Sequence, residues 1–397
     1  MKSRSDSFPI ILIILLILGI IINKPWLILF SIAILVVQYS AILWRDFSLQ
    51  GVIYRRKWHY KKGFPGEKTH FFVEVENRKK IPISWLHTID PWPAQVDLDE
   101  KNHVINLQSH EINKFVNIFS MRPWEKITRK FNITFQKRGV YPVGPLRLES
   151  GDIFGYYQKS VEESSWDYLT VYPVILPDVN LELPAEDPTG IRQTSHSLFQ
   201  DINQPIGVRP YQREDSFRTI HWNATARTGE LQSKIFQPVL SKVMVIALNI
   251  STTAKPWLGT SHELIEKLIQ VAATIAYQNF QRGYSVGIFS NGCLAHADHP
   301  FMIMPGKSRE HLGLILESLA AVTPYITTPF EQYFSQSIPR IPYGSTIVIE
   351  TGLITPLLLE TIVRLKSYRN QIALVSLESE KPPAIPGVYT LHLPFLE

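Results

Sequence analysis

Lys242-Val-Met-Val-Ile-Ala-Leu-Asn-Ile-Ser-Thr-Thr253 is the stretch whose reading decides the fold: a strongly apolar strand that ends abruptly in small polar residues. Beyond it the chain repeats one plan. Thr260-Ser-His-Glu263 has the spacing of a capping box, and Leu264, Leu268, Val271 and Ile275 share one face of the helix it opens, which runs to about Gln281. Strands are expected over residues 284–290, 345–350 and 371–377, with a further one at Phe301-Met-Ile-Met304, and helices over 308–321 and 355–368. Apolar strands alternating with amphipathic helices predict a doubly wound, mainly parallel sheet. Ligands of such sheets sit beyond the carboxyl ends of the strands, so those ends are where chemistry is expected.

Upstream the character changes twice. Residues 8–22 are an apolar run, Asn23-Lys24-Pro25 breaks it, and Trp26 to Trp44 forms a second run long enough to span a bilayer. The first run is short enough for a signal-peptide core, but no small-x-small site follows Ile22 and a second apolar run comes at once. A two-helix membrane hairpin is expected. Lys2 and Arg4 precede it and Arg45, Arg55, Arg56, Lys57, Lys61 and Lys62 come after, against Lys24 alone in its turn, which predicts that both ends face the cytoplasm. The basic segment after the hairpin is expected to lie against anionic headgroups. From Val52 onward short alternating segments such as Phe71-Phe-Val-Glu-Val-Glu-Asn77 and Lys130-Phe-Asn-Ile-Thr-Phe135, punctuated by Gly/Pro turns, read as a β-sandwich of immunoglobulin-like outline. Gly151-Asp-Ile-Phe-Gly155 reads as a turn with a buried Phe. The 397 residues suit two or three domains. The net charge of +5 is concentrated near the hairpin, which argues against a nucleic-acid partner. A single cysteine, Cys293, excludes an intramolecular disulfide.

Between these regions lies Gly207-Val-Arg-Pro-Tyr-Gln-Arg-Glu-Asp-Ser-Phe-Arg-Thr-Ile-His-Trp-Asn-Ala-Thr-Ala-Arg227, preceded by a polar, Pro-containing linker over 183–204. Asp215 is read as the N-cap of a short helix whose apolar stripe is Phe217, Ile220 and Ala224, with Gly229 as its left-handed stop. This stretch resembles the hallmark G-x-R-x-Y-x-x-x-D-x-x-R-x-I-x-W-x-x-(S/T)-A-R of the bacterial "domain of unknown function 58" proteins. Gly207, Arg209, Tyr211, Asp215, Arg218, Ile220, Trp222, Thr225, Ala226 and Arg227 all fit it, while Glu214 replaces the usual Gly. The resemblance implies a membrane hairpin (residues 1–50), a β-sandwich-like domain (51–182), a linker and hallmark segment (183–241), and an α/β domain similar to von Willebrand factor A domains (242–397). It also implies a MoxR-type AAA+ ATPase as partner.

In von Willebrand A domains the end of the first strand carries D-x-S-x-S, the core of a metal-ion-dependent adhesion site. Asn249, Ser251 and Thr253 keep that spacing without the carboxylate, and Mg²⁺ prefers charged oxygen ligands, so the site is read as degenerate. Glu350 is a candidate for the missing anion and Thr323 for a third hydroxyl; alternatively Asn249 simply caps the adjoining turn. Asp215, Ser216 and His221 invite a hydrolase reading, but six residues on a helix is about 600°, so Asp215 and His221 diverge by about 120°. Cys293, His296, Asp298 and His299 are spaced like a small zinc site without a second ligand pair, and His262 with Glu266 reads as an exposed helix pair. Arg209, Arg218 and Arg227 are expected to form buried or interfacial pairs with Asp215 and Glu214, the other reading being contact with an acidic partner or phosphate. Together these features point to a membrane-anchored interaction or assembly factor that contacts lipid and a protein partner. A membrane-bound hydrolase is the alternative, and a polyanion binder is disfavoured by the modest charge.

Overall fold

The computed structural model describes residues 8–105, 112–153, 155–177, 200–212, 217–238, 242–253, 259–295, 297, 299–342, 344–365 and 371–394. The chain divides into two compact units, Met1–Pro173 and Val174–Glu397.

The first unit opens with helices α1 (Phe8–Ile21) and α2 (Pro25–Ser48). Asn23 takes a left-handed conformation and Pro25 stands at the first position of α2, so the break read from Asn23-Lys24-Pro25 is a tight turn. Gly19 lets the two helices close up: a side chain there would collide with Leu27. Among the described residues α2 is the one helix long and apolar enough to cross a membrane, and apolar residues such as Leu29, Phe30 and Val36 stand exposed along it. The 14 residues of α1 rise only about 21 Å, short of a bilayer core of about 30 Å.

Strands come next among the described residues: β1 (Val52–Trp58), β2 (Lys62–Gly63), β3 (Lys68–Asn77), β4 (Ile83–Pro93), β5 (Val96–Leu98), β6 (Val104–Ile105), β7 (Ile112–Met121), β8 (Lys126–Phe135), β9 (Gly139–Val143), β10 (Leu146–Gly151), β11 (Gln158–Glu163) and β12 (Asp167–Val171). They form sheets ordered β1-β3-β8-β5, β11-β10-β4-β7-β6 and β2-β12-β9, antiparallel except where β2 meets β12. Strand alternation turns Phe71, Val73 and Val75 of β3 and Phe131, Ile133 and Phe135 of β8 into one core with Leu86 and Trp92 of β4, Phe115 and Phe119 of β7, and Leu169 and Val171 of β12. Phe71 lies 5.4 Å from the Trp92 ring and 5.8 Å from Phe115, joining the two larger sheets through aromatic contact. The Tyr141 hydroxyl donates to the carbonyls of Lys137 and Arg138 at 2.9 and 2.8 Å, pinning the corner that leads into β9.

One basic residue assigned from sequence to the membrane-facing belt is elsewhere. Arg56 is buried inside the sandwich, because β1 turns it inward beside Tyr54. Its guanidinium pairs with Asp90 of β4 at 3.3 Å and Asp167 of β12 at 3.1 Å, and donates to the carbonyls of Val143 and Ser165. Tyr54 donates to the second oxygen of Asp90 at 2.7 Å. Burial pushes the Asp90 carboxyl up, with Arg56 and Tyr54 pulling it back, and drives the Tyr54 phenol well above its ordinary value. Lys57 stays exposed and pairs with Glu74 at 2.8 Å.

In the second unit, β13 (Gln200–Pro210) and β14 (Gln232–Pro238) form an antiparallel hairpin enclosing α3 (Trp222–Thr228). The rest runs β15 (Val243–Asn249), α4 (His262–Gln281), β16 (Ser285–Leu294), β17 (Pro300–Gly306), α5 (Arg309–Ala321), β18 (Val322–Ile326), α6 (Phe330–Ser337), β19 (Thr346–Thr351), α7 (Pro356–Leu365), β20 (Gln371–Ser376) and β21 (Tyr389–His392). The sheet order is β17-β16-β15-β19-β20-β21, parallel from β16 through β21, with β17 antiparallel at one edge and β18 pairing with β16. Ser261, one residue later than the capping-box reading, caps α4 by accepting from the Leu264 amide. Val245, Ala247, Ile347 and Ile349 pack under Phe330 and Phe334 of α6 and Leu358 and Ile362 of α7. The alternate residues Met244, Ile246 and Leu248 are equally buried on the opposite face, and α4 packs on the same strands. The sequence reading missed α6, since Phe330 and Phe334 are its buried pair in a segment otherwise rich in Pro, Gln and Ser.

Removing Asp90 takes one of two carboxylates from the buried Arg56 guanidinium and leaves the buried Tyr54 hydroxyl without its acceptor, so Asp90→Ala is expected to destabilise the chain by about 3 kcal/mol. The Arg56→Met/Asp90→Ala double variant should recover much of that loss; denaturant titration of the detergent-solubilised chain checks both.

Candidate functional site

The order β16-β15-β19 means that the chain leaves β15 to one side first and returns to its other side later. The carboxyl ends of β15 and β19 therefore flank the topological switch point, where a parallel sheet opens its crevice. Asn249 ends β15 and stands in register with Thr351, which ends β19. The Asn249 Nδ2 donates to Thr351 Oγ1 at 3.0 Å. Its Oδ1 accepts from the Ser251 amide at 3.0 Å and from Asn291 Nδ2 at 3.3 Å. Asn291 Nδ2 also donates to Ser251 Oγ at 3.0 Å, and its Oδ1 accepts from the Ile250 amide at 3.0 Å. Thr351 Oγ1 donates to the Leu353 carbonyl at 2.7 Å. The crevice is thus closed by a neutral, largely buried amide–hydroxyl network.

Two of the three residues read as a degenerate metal site belong to this network, and Thr253 does not: its hydroxyl donates to the Gly259 carbonyl at 2.8 Å and fastens the loop. Thr323, the candidate third hydroxyl, donates to the Cys293 carbonyl at 2.9 Å. Glu350 is the larger correction. It stands in register with Leu248 and Val375, and strand alternation sends it to the face opposite Asn249 and Thr351. Asn291 and Thr351 were missed, although each sits at the end of an expected strand. The donor set does not fit a resident Mg²⁺: it holds no carboxylate among the described residues, and its amide groups turn N–H toward the hydroxyls.

Glu350 is fully buried and both its carboxylate oxygens lack a hydrogen-bond partner. Burial alone pushes its carboxyl well above the ordinary glutamate value of 4.5. A neutral acid among apolar neighbours is the tolerable state for such a group.

The hallmark segment builds a second candidate. Gly207 to Pro210 pair with Ile235 to Gln232, and the Tyr211 amide donates to the Leu231 carbonyl at 2.9 Å. Phe217–Thr219 forms one 3-10 turn, Ile220 bridges to Ser233 and is buried, and only then does α3 begin. The expected single helix is therefore two pieces, and its cap is His221, whose Nδ1 accepts from the Ala224 amide at 3.1 Å. Asp215, read as the cap, lies with Arg213, Glu214 and Ser216 outside the described residues. Gly229 does stop the helix in the left-handed region, donating to the Thr225 carbonyl. Phe217 is not part of a buried stripe: it is 77% exposed, with its ring 6.1 Å from Tyr211. Trp222 is 67% exposed, and Arg227 is exposed in the last turn of α3; Glu214 and Asp215, the partners expected for it, lie outside the described residues. Arg209 is half-buried on β13 and donates to the Pro210 carbonyl. The backbone of Arg218 lies in the 3-10 turn, and its side chain is outside the described set. With the His221 Nδ1 engaged by a backbone amide, the Asp215–Ser216–His221 reading has no support in the described geometry.

Cys293 is buried on β16 with its Sγ 3.7 Å from Thr327 Oγ1. His296 and Asp298 lie outside the described residues, and no cluster of three His, Cys, Asp or Glu side chains occurs among those described. His262 and Glu266 form the exposed pair expected, at 4.0 Å.

Asn249→Ala strands the Ser251 amide and takes one partner each from Asn291 and Thr351, and should cost about 1–3 kcal/mol in thermal or denaturant unfolding. Neither Mg²⁺ nor a chelator should move the wild-type midpoint; a rise with Mg²⁺ would restore the metal reading. Glu350 holds its proton in the folded chain above the pH at which the unfolded chain releases it. Stability should therefore fall as pH rises from about 4.5 toward the raised folded value, and Glu350→Gln should remove that slope in melts taken across the range.

Comparison with known proteins gives these surfaces a family and no reaction. An uncharacterised protein, YeaD of Bacillus subtilis (strain 168), is 25% identical over 290 residues, covering 71% of this chain and 66% of that protein. This chain thus spans just under two thirds of that relative's length. Among solved structures, the VWA domain of SpRpn10 aligns at 10% identity with a TM-score of 0.28, covering 38% of this chain and 88% of that domain. A non-cellulosomal cohesin from Archaeoglobus fulgidus aligns at 12% identity with a TM-score of 0.20, covering 30% and 90%. Residues 207–394, from the first glycine of the hallmark through the last strand of the parallel sheet, match the model of the protein family of unknown function DUF58. Over that stretch the chain belongs to the DUF58 family.

Proposed function

We propose that this chain is a membrane-anchored protein-interaction factor whose recognition surface is the module built from β13, α3 and β14. The observation that carries this reading is the exposure of Phe217 and Trp222 in the segment between two paired strands, with Arg227 exposed on α3 and Arg209 half-buried on β13. Large aromatic side chains with arginine are the groups that supply most of the binding energy at protein interfaces. Their cost in water suggests a partner that covers them, and the cationic residues favour an acidic one. The family resemblance makes a MoxR-type AAA+ ATPase the first partner to test.

In this reading α1 and α2 form the hairpin that holds the chain at the cytoplasmic membrane, with two spans and both termini in the cytoplasm, α1 crossing by local thinning of the bilayer. The α/β unit is a doubly wound, von Willebrand A-like platform that supports the module. The closed, uncharged network at Asn249 favours this over the hydrolase alternative, because acid–base catalysis needs titratable groups converging on an open site.

Binding of a purified MoxR-type ATPase to the full chain in nanodiscs tests the proposal. Trp222→Ala combined with Arg227→Glu should weaken binding at least about tenfold, the effect of one or two interface hot spots. Asn249→Ala should leave binding unchanged. Equal binding by wild type and the Trp222/Arg227 variant would overturn the assignment of this surface.

A further inference from the structure

We propose that the turns at the α2 end of the β-sandwich form a second, interfacial contact with the bilayer. Trp124, Ile153 and Tyr156 would enter the boundary between headgroups and acyl chains, while Lys80 and Arg122 meet anionic headgroups. The inference rests on the membrane-anchored reading and goes beyond it, since it concerns residues outside the hairpin.

The geometry comes from contacts within the first unit. The 20 residues from Pro25 to Trp44 rise about 30 Å, the thickness of a bilayer core, which brings Arg45 to headgroup level. Lys159 of β11 donates to the Asp46 carbonyl at 3.5 Å, and Arg45 lies over the Tyr157 ring at 5.7 Å. Moving from Lys159 to Tyr157, toward the tip of the β10–β11 turn, thus moves back along α2 in the direction of the bilayer. The tip beyond carries Ile153, 58% exposed, and Tyr156, 79% exposed. It is held firmly: Asp152 exchanges backbone and side-chain bonds with Tyr157, and Trp85 Nε1 donates to the Asp152 carbonyl at 3.1 Å.

Two more turns share this end. Lys79 of the β3–β4 turn caps the last turn of α2, donating to the carbonyls of Phe47 and Ser48, and the Arg78 amide donates to the Gly51 carbonyl at 2.8 Å. Asn77 ties the β7–β8 turn alongside: its Nδ2 donates to the Arg122 carbonyl at 2.9 Å, and its amide to the Glu125 carbonyl at 2.9 Å. At the tip of that turn Trp124 is 64% exposed, with φ of 60°. A bulky residue pays strain to sit there, and Glu125 steadies the turn by accepting from the Arg122 amide at 2.6 Å. The acids nearby are engaged, Glu76 with Arg78 at 2.7 Å and Glu125 with the backbone. Lys80 and Arg122 remain exposed. Exposed tryptophan and tyrosine beside lysine and arginine, level with the end of an apolar helix, is the composition of a membrane interface.

The test uses the full chain in a Cys293→Ala background, reconstituted in vesicles of phosphatidylcholine with phosphatidylglycerol. An environment-sensitive fluorophore is attached at Ile153→Cys, Tyr156→Cys, Val36→Cys on α2, or Lys137→Cys. Lys137 lies past the far end of β8, roughly 30 Å along the strand from Trp124. Probes at residues 153 and 156 should shift to the blue and be quenched by lipids carrying nitroxide near the headgroup, and the probe at 36 by lipids carrying it deep in the chain. The probe at 137 should show neither. Quenching at 153 and 156 should be stronger with phosphatidylglycerol than with phosphatidylcholine alone, and equal quenching would overturn the role given to the cations. If 153 and 156 behave like 137 while 36 is quenched, the interfacial contact is wrong and the anchor stands. If 36 is also unquenched, the membrane reading fails and this inference fails with it.

Discussion

A strand buried on both faces can present polar chemistry only where it ends, and β15 is such a strand. Met244 through Leu248 are all buried, with apolar partners on either side of the sheet. The backbone bonds of the parallel ladder are satisfied by β16 and β19, so the first side chains free to differ in character are those at the carboxyl end. Asn249, Ser251, Asn291 and Thr351 gather at that end. Their groups satisfy one another, which suits a position that must be polar but need not be charged. A closed network of this kind supports the sheet edge as a rigid base more readily than it supports turnover.

The two units treat buried charge in opposite ways. In the sandwich, Arg56 meets two carboxylates and two backbone carbonyls, so a full charge is held where three sheets converge. The pairing joins strands far apart in the chain, and a wrong register would leave the ions bare. In the parallel sheet, Glu350 has no such partner and its burial favours the neutral acid. The first arrangement adds specificity to a fold whose strands otherwise resemble one another. The second keeps a titratable group in a place where ionisation opposes folding.

Exposed apolar side chains gather in three places. Apolar side chains lie outward on α2, at the turns beside its end, and on the module of β13, α3 and β14. The first two are continuous with each other through Lys79, Asp46 and Tyr157. The module is held by backbone pairing, by Ile220 and by the caps at His221 and Gly229, leaving Phe217 and Trp222 outward. Aromatic groups displayed on so constrained a backbone lose little freedom when covered, the condition under which such side chains bind best.

The amino-acid sequence by itself determined the elements whose cause is local. The apolar run of β15, the helical periodicity of α4, the break at Asn23-Lys24-Pro25 and the left-handed stop at Gly229 arise from side-chain period and backbone preference, and each lies within a residue or two of its expected place. Only the tertiary structure decided which side chains meet. Strand alternation has a period of two, so Thr351 joins Asn249 while Glu350, one residue earlier, lies on the other face; no pattern within either strand sets that parity, which comes from the register between them. Arg56 looked like its exposed basic neighbours until Asp90 and Asp167 were brought to it from 34 residues away and beyond. His221 caps α3 because the helix begins only after the bridge of Ile220 to Ser233. Local sequence carries the period of an element, whereas the identity of its neighbours is a property of the packed chain.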